Sequence, residues 1–430
     1  MKSNIKQKAV HSTSVMDKSL LSLTWPIFVD TLMVFLINVA DAWFLSQQSD
    51  QSAAAVGAVL PITAMCFSFF VALNAAGTAV AAKLFGHQSI TSNTGINNSH
   101  LISLTFGAIL GLCFISGFVI SAVLLMFSEQ MASLMGLSGG ALNDASVYLH
   151  TLGYASLALS VRFGASAILQ SFGKTQWNMV CTGAMTIVNL IFNYAFMYGA
   201  LGLPQLGVKG IALATNIAWM VNLICTFMVI YYLRISIVLP KTWVSFKSSS
   251  KSILDIAIPS AIEPQAWHLS QLIIMNIIVS LGQVSLAARV YAFNIIFVVI
   301  LFTMSLSAGV QLKVAYLYGA KQYQDMHNNL VKGVLQGLAL VIITIAVLYT
   351  FSASLLGLFS QNLEIIALGS AIIGLAVFAE VGRILNMVIG FSVKVIGHAK
   401  FIAVFGISTM WLVSLPFTWF LGVQMGYGLI

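Results

Sequence analysis

Two aspartates, Asp30 and Asp41, stand inside one apolar stretch, "TWPIFVDTLMVFLINVADAWFL" (24–45). A carboxylate at the centre of a bilayer costs about 2.5–3.5 kcal/mol on insertion scales, so one retained there pairs with a positive group or binds a proton or cation. The two are 11 residues apart. At 3.6 residues per turn they fall within about 20° of one helix face and about 16 Å apart along the axis. That face must meet protein or water rather than lipid.

The other charges inside apolar stretches sharpen this. The first half of the chain carries Asp30 and Asp41 against Arg162, a candidate charge partner for Asp30. The second half carries Glu263 and Glu380 against Arg289 and Arg383. Asp255 and Lys313 are assigned to cytoplasmic helix ends and left out of this count. The second half balances; the first keeps one acid in excess, and an excess acid in low dielectric takes up H⁺ or a cation such as Na⁺. Asn189 and Asn193, spaced i and i+4 in "TIVNLIFNYAFMYG", share a face. Their carboxamides accept from a protonated acid or donate to an ionised one; they serve equally as glue between helices. The ion-coupling candidates are thus Asp41, Asp30, Asn189 and Asn193.

In the second half, Glu263 precedes His268 and Gln271, and Glu380, Arg383 and Asn386 recur at three-residue steps in "EVGRILNM". These six are candidates for a substrate-binding or polar network, with Glu380–Arg383 reading also as a structural pair within one helix. Pro259 and Pro264 predict a disrupted helix around Glu263. The histidines show no metal-ligand spacing. No His-Glu-x-x-His, Gly-x-Ser-x-Gly or Walker stretch is present. The expectation is therefore no catalytic residue, no cofactor, and no metal beyond Na⁺ at Asp41.

Apolar helices must position these groups. The chain is 59% hydrophobic and 7% charged over 430 residues, more apolar surface than a soluble fold can hide. Eleven apolar runs recur: 23–45, 54–85, 101–127, 145–172, 177–201, 210–233, 253–279, 286–317, 331–359, 365–396 and 401–425. Each is long enough for a membrane span and too long for a barrel strand. Cys66, Cys113, Cys181 and Cys225 lie in or near these runs and read as small apolar residues rather than disulfides. The net charge of +8 does not point to nucleic acid. Lys2, Lys6, Lys8 and Lys18, Lys83, Lys174, Arg234 to Lys251, Lys321, and Lys394 with Lys400 mark every second loop, the positive-inside pattern. The N-terminus is expected in the cytoplasm, without a cleavable signal peptide, in a multi-pass plasma-membrane protein (bacterial inner membrane). Trp25 and Trp43 stand about 27 Å apart on a helix, a spacing that suits two interfacial anchors.

The longest polar interruption after the N-terminal tail, 234–251, divides the chain. The expected organisation is a cytoplasmic tail (1–22), a six-helix bundle (23–233), a cytoplasmic linker (234–251) and a second bundle (252–430). A shift of 233 residues sets "WPIFVD" on "IPSAIE", Asp30 on Glu263, Phe85 on Tyr318 and Gly86 on Gly319. Six spans separate the mates, so the repeat is parallel. Two like bundles around a cleft are the basis of alternating access.

Several segments resemble the multidrug and toxic compound extrusion (MATE) family: "WPIFVD…NVADAWFLS…AAAVGAV", "LQSFGKTQWNMV", "TIVNLIFNYAFMYG", "LGVKGIALATNIA", "IPSAIE", and "EVGRILNMVIG…GHAKF…LPFTWFLG". The resemblance runs from about Thr24 to the C-terminus. It implies an all-α polytopic fold with two pseudo-symmetric bundles forming a V-shaped cleft. It implies export of organic, cationic or amphipathic compounds in exchange for Na⁺ or H⁺, with Asp41 as the ion-coupling aspartate and Asn189 as its span-5 partner. Some members have an aspartate where Asn193 stands; Asp30 is expected to supply that acid from across the cleft. The family usually has twelve spans against eleven runs here. The expected partners are a small-molecule substrate and the lipid bilayer, with no nucleic acid, and the chain is expected to be a monomer. A flippase for a lipid-linked precursor, with Arg162, Arg289 and Arg383 gathered on the cleft wall, is the alternative.

Overall fold

The computed structural model describes residue 15 and residues 17–91 and 99–425. Helix dominates, because backbone groups facing lipid have no water to bond and must satisfy one another within a segment. The first bundle holds α1 (Leu20–Gln48), α2 (Asp50–Thr91), α3 (Ser99–Leu134), α4 (Gly139–Ser171), α5 (Thr175–Tyr198) and α6 (Gly207–Tyr232). The second holds α7 (Trp243–Ser280), α8 (Gln283–Gly319), α9 (Tyr323–Thr350), the short α10 (Ser352–Gly357) and α11 (Leu363–Val393). A π-helical turn (Lys394–His398) then leads into α12 (Ala399–Thr409), and α13 (Leu415–Trp419) lies between two further π turns. Most of the tail expected in the cytoplasm, with Lys2, Lys6 and Lys8, lies outside the described residues, as do residues 426–430.

Nine helical segments among the described residues are long and apolar enough to cross a membrane. The last of them (363–424) carries two of the predicted runs, broken where Gly397 adopts φ 113°. The Pro-containing run 253–279 lies within α7, which is not among the nine. The expected disruption of α7 is corrected: the helix continues through both prolines. The four cysteines are free, with Cys113 and Cys181 buried.

Each bundle is organised around one helix buried in protein. In the first it is α4, whose most apolar stretch is 78% buried against α2, α3 and α6. Its small residues permit this. A Cβ on Gly117 of α3 would stand 2.7 Å from Ser160 Cβ, and one on Gly164 would stand 3.0 Å from Cys113 Sγ. Close backbone approach by small residues is how helices associate where lipid removes the hydrophobic drive. The counterpart in the second bundle is α8, 67% buried.

The bundles meet where α2 crosses α8. A Cβ added at Gly86 would fall 1.9 Å from the Tyr316 carbonyl oxygen, and one at Gly319 would fall 2.0 Å from the Lys83 carbonyl oxygen. These glycines are repeat mates, so the pseudo-twofold axis passes between them. Around them Phe85 stacks with Tyr316, the Lys83 ammonium lies 4.8 Å from the centre of the Tyr318 ring, and Lys313 Nζ donates to the Lys18 carbonyl at 2.7 Å. Lys313, expected at a solvated helix end, is buried. The seam continues toward mid-helix through Phe28–Phe302 and Phe35–Phe297, and Gln265 of α7 donates to the Met65 carbonyl and Ser68 hydroxyl of α2. Past Phe35–Phe297 no ring contact ties α1 to α8 among the described residues, in keeping with a V-shaped cleft between the bundles.

Since the glycines close one end by backbone contact, Gly86→Ala or Gly319→Ala is predicted to hold that end open. A cysteine placed at Tyr316 in a cysteine-free background should react with a maleimide roughly tenfold faster in either variant. Gly382→Ala, where an added Cβ meets nothing within 4 Å, should leave the rate unchanged.

Candidate ion site in the first bundle

Helices α1, α5 and α6 bring Asp41, Asn189, Asn193 and Thr215 into one buried cluster. The side chains of Asn189 and Asn193 are fully buried, and Asp41 and Thr215 are each 6% exposed. Asn193 Nδ2 donates to Asp41 Oδ1 at 2.6 Å and to Asn189 Oδ1 at 3.0 Å. Asn189 Nδ2 donates to Thr215 Oγ1 at 3.3 Å. The Thr215 hydroxyl has one proton and two acceptors in reach, Asp41 Oδ2 at 3.0 Å and the Ile211 carbonyl at 3.1 Å. Two donor chains therefore converge on one carboxylate.

No lysine or arginine is ion-paired with that carboxylate. Among the described residues the ion pairs within 4.0 Å are Glu380–Arg383 and Glu263–Lys394. The cluster accommodates two states. With the carboxylate ionised, the amides donate to it. With a proton or cation bound, rotation of either carboxamide presents an oxygen instead. Asn193 Oδ1, buried with no hydrogen-bond partner among the described residues, is one oxygen available for that role.

Asp30 does not supply the acid missing at Asn193, which corrects the expectation. It sits on the same helix as Asp41, three turns away, so its carboxyl enters a separate cluster beside Arg162 and Thr182. There Arg162 Nη2 and Asn222 Nδ2 each donate to Thr182 Oγ1 at 3.2 Å, and the Arg162 guanidinium lies over the Phe163 ring. Arg162 is Asp30's neighbour without a direct ion pair; Asp30 Oδ1 and Arg162 Nε are both buried without a hydrogen-bond partner among the described residues.

The six second-half candidates do not form one network. Glu380 binds Arg383 Nε through both oxygens, at 3.0 and 2.9 Å, the structural pair that their spacing allowed. Glu263 binds Lys394 Nζ at 2.5 Å. His268 packs edge-on against Trp267, and Asn386 is exposed. No hydrogen bond joins His268, Gln271 or Asn386 to either acid among the described residues. The expected charge count changes with this. Lys394, assigned to a cytoplasmic gap, is 5% exposed inside the bundle. Arg289 is ion-paired with no acid among the described residues, lies over Phe293, and lines a cavity of about 210 Å³ with Ile274, Ile277 and Ile372.

Thr215 escaped the sequence reading. Its signal was present: Thr215, Asn222 and Thr226 are spaced 7 and 4 residues apart on α6, one polar face on an otherwise apolar helix.

The MatE family model matches residues 26–195 and 259–420, one segment in each bundle. The chain is 33% identical over 434 residues to the uncharacterized transporter YisQ of Bacillus subtilis, covering 99% of this chain and 93% of that one. It is 24% identical over 369 residues to the probable multidrug resistance protein NorM of Thermotoga maritima, covering 84% and 76% respectively. Among solved structures, a MATE P26A mutant superposes with a TM-score of 0.86 at 16% identity, covering 97% of this chain and 90% of that one. An outward-facing multidrug resistance MATE transporter superposes at 0.82 with 17% identity and the same coverage. With more than half its length matched by the family model, this multi-pass membrane protein belongs to the MATE family, a family of transporters rather than enzymes.

Proposed function

We propose that the chain exports organic cationic or amphipathic compounds in exchange for H⁺ or Na⁺, with Asp41 as the exchanging group. The observation that carries this is a buried carboxylate hydrogen-bonded by Asn193 and Thr215 and ion-paired with no basic side chain. Such a group gains a mobile cation when one is available and resists remaining empty in low dielectric. The kinship with probable multidrug resistance and multidrug export proteins supports the substrate class.

Occupancy at Asp41 and orientation of the bundles are linked through α1. That helix carries Asp41 toward one end, and Phe28 and Phe35 of the α8 seam toward the other. A cation at Asp41 that favours one packing of α1 favours one orientation; substrate favours the other, and the two ligands compete through that equilibrium. The closed end gathers Lys18, Lys83, Lys174 and Lys313, which by the positive-inside rule supports a cytoplasmic position for that end and a cleft that opens outward. On this reading the protein sits in the bacterial inner membrane with its N-terminus inside, and works as a monomer.

A lipid-linked-precursor flippase would need a basic cavity for pyrophosphate. Arg289 and Arg383 are neighbours in the second bundle, but Arg383 is held by Glu380 and Arg162 is buried in the first bundle, so the three do not gather on one wall. This favours the antiporter.

Efflux of ethidium from proteoliposomes, driven separately by a pH gradient and a Na⁺ gradient, identifies the ion. Asp41→Asn is expected to abolish gradient-driven efflux by either ion; undiminished transport would remove Asp41 from the mechanism. Thr215→Val keeps the shape and deletes a donor to the carboxylate, and Asn193→Leu deletes the other. Each is expected to cost about 1–3 kcal/mol of stability. The measurement is a lowered Tm of the purified protein in detergent.

A further inference from the structure

We propose that Lys394 is a resident counter-cation for Glu263, which removes the second bundle from cation exchange and leaves Asp41 as the exchanging site. This inference rests on the antiport reading above.

The repeat makes the case. Glu263 follows its mate Asp30 by 233 residues, and Lys394 follows Arg162 by 232. Each bundle thus joins its first and fourth long spanning helices by one acid and one base. The two pairs are in different states. In the first bundle Asp30 and Arg162 are neighbours without an ion pair, and Arg162 spends its hydrogen bond on Thr182. In the second, Lys394 Nζ closes on Glu263 Oε2 at 2.5 Å and also lies 5.3 Å from the centre of the Phe391 ring.

The backbone builds this contact. Lys394 opens the π-helical turn after α11, and Gly397 within it takes φ 113°, a left-handed value that side chains resist. The helix therefore breaks just past Lys394, and α12 returns over the acid: a Cβ on Gly406 would stand 3.4 Å from Glu263 Oε1. The ammonium is held between α7, α11 and α12, with its side chain 7% exposed. It cannot leave without stranding its own buried charge beside a partly buried carboxylate, the Glu263 side chain being 20% exposed. A mobile cation at Glu263 would have to displace a covalently tethered one of the same charge. Glu380, the other acid of this bundle interior, has its own base: Arg383 Nε donates to both of its oxygens.

The test counts cations on the purified full-length chain in nanodiscs. Radioactive Na⁺ is titrated to saturation, and in a second arm protons taken up between about pH 8 and pH 5 are counted in weak buffer. Lys394→Gln is expected to bind one cation more than the native chain, as Na⁺ or as a proton. Lys394→Arg and the double variant Glu263→Gln/Lys394→Gln are expected to return to the native count. An unchanged count in Lys394→Gln overturns the proposal. Should that variant fail to fold, Glu263→Gln decides: an unchanged count supports a resident ammonium, and loss of one cation overturns it. Asp41→Asn run alongside should lose one cation. If it loses none, the antiport reading fails by itself, and the Lys394 arms still report on Glu263.

Discussion

The hydrogen bonds from Asn193 and Thr215 to Asp41 hold a buried carboxylate in place without cancelling its charge. Neutral donors soften the loss of water, but they leave a formal negative charge in surroundings of low dielectric, where an unbalanced charge is costly. A fixed arginine would have balanced it. In the proposed antiport the site depends instead on a charge that comes and goes. Asn189, Asn193 and Thr215 suit that dependence, because carboxamides and a hydroxyl can turn from donor to acceptor as the visitor arrives.

That site is mechanically attached to the seam between the bundles. Helix α1 lies between α5 of its own bundle and α8 of the other. One side reaches Asn193 across to α5; another seats Phe28 and Phe35 on Phe302 and Phe297. The seam is closed most tightly at Gly86 and Gly319, where backbone meets backbone and no side chain can intervene. A contact of this kind is close to all-or-none, since a helix either reaches the crossing or stands off by a van der Waals diameter. It suits a molecule that alternates between two packed arrangements rather than one that deforms smoothly.

Much of this was legible in the chain. The apolar runs located the helices, since a lipid solvent leaves helix as the way to satisfy the backbone of each run. The 233-residue repeat paired Gly86 with Gly319, and the packing of α2 on α8 made that pair the crossing. Helical periodicity put Asn189 and Asn193 on one face, the charge count left one acid of the first bundle in excess, and the family resemblance pointed to Asp41 with Asn189. Apart from α7, which runs on through its two prolines, the errors were in side-chain destinations. Asp30 shares a face with Asp41 yet lies three turns away, and its distance from the α5 asparagines depends on helix packing. Lys394 looked like a loop residue because it sits beside a break in an apolar run, and in most helices such a break is a solvated turn. Here the break is a π turn inside the bundle.

The sequence by itself therefore determined the class of solvent, the rough extent of the helices, the twofold plan and an acid in excess in the first bundle. These follow from hydrophobic period and charge count, properties of the chain taken one segment at a time. Only the tertiary structure decided which acid meets which base: that Lys394 reaches Glu263, that Arg162 stops at Thr182, and that Thr215 completes the Asp41 cluster. Those pairings depend on ångström-scale distances between helices far apart in the chain, set by where small residues let backbones approach, and no local pattern encodes such a distance.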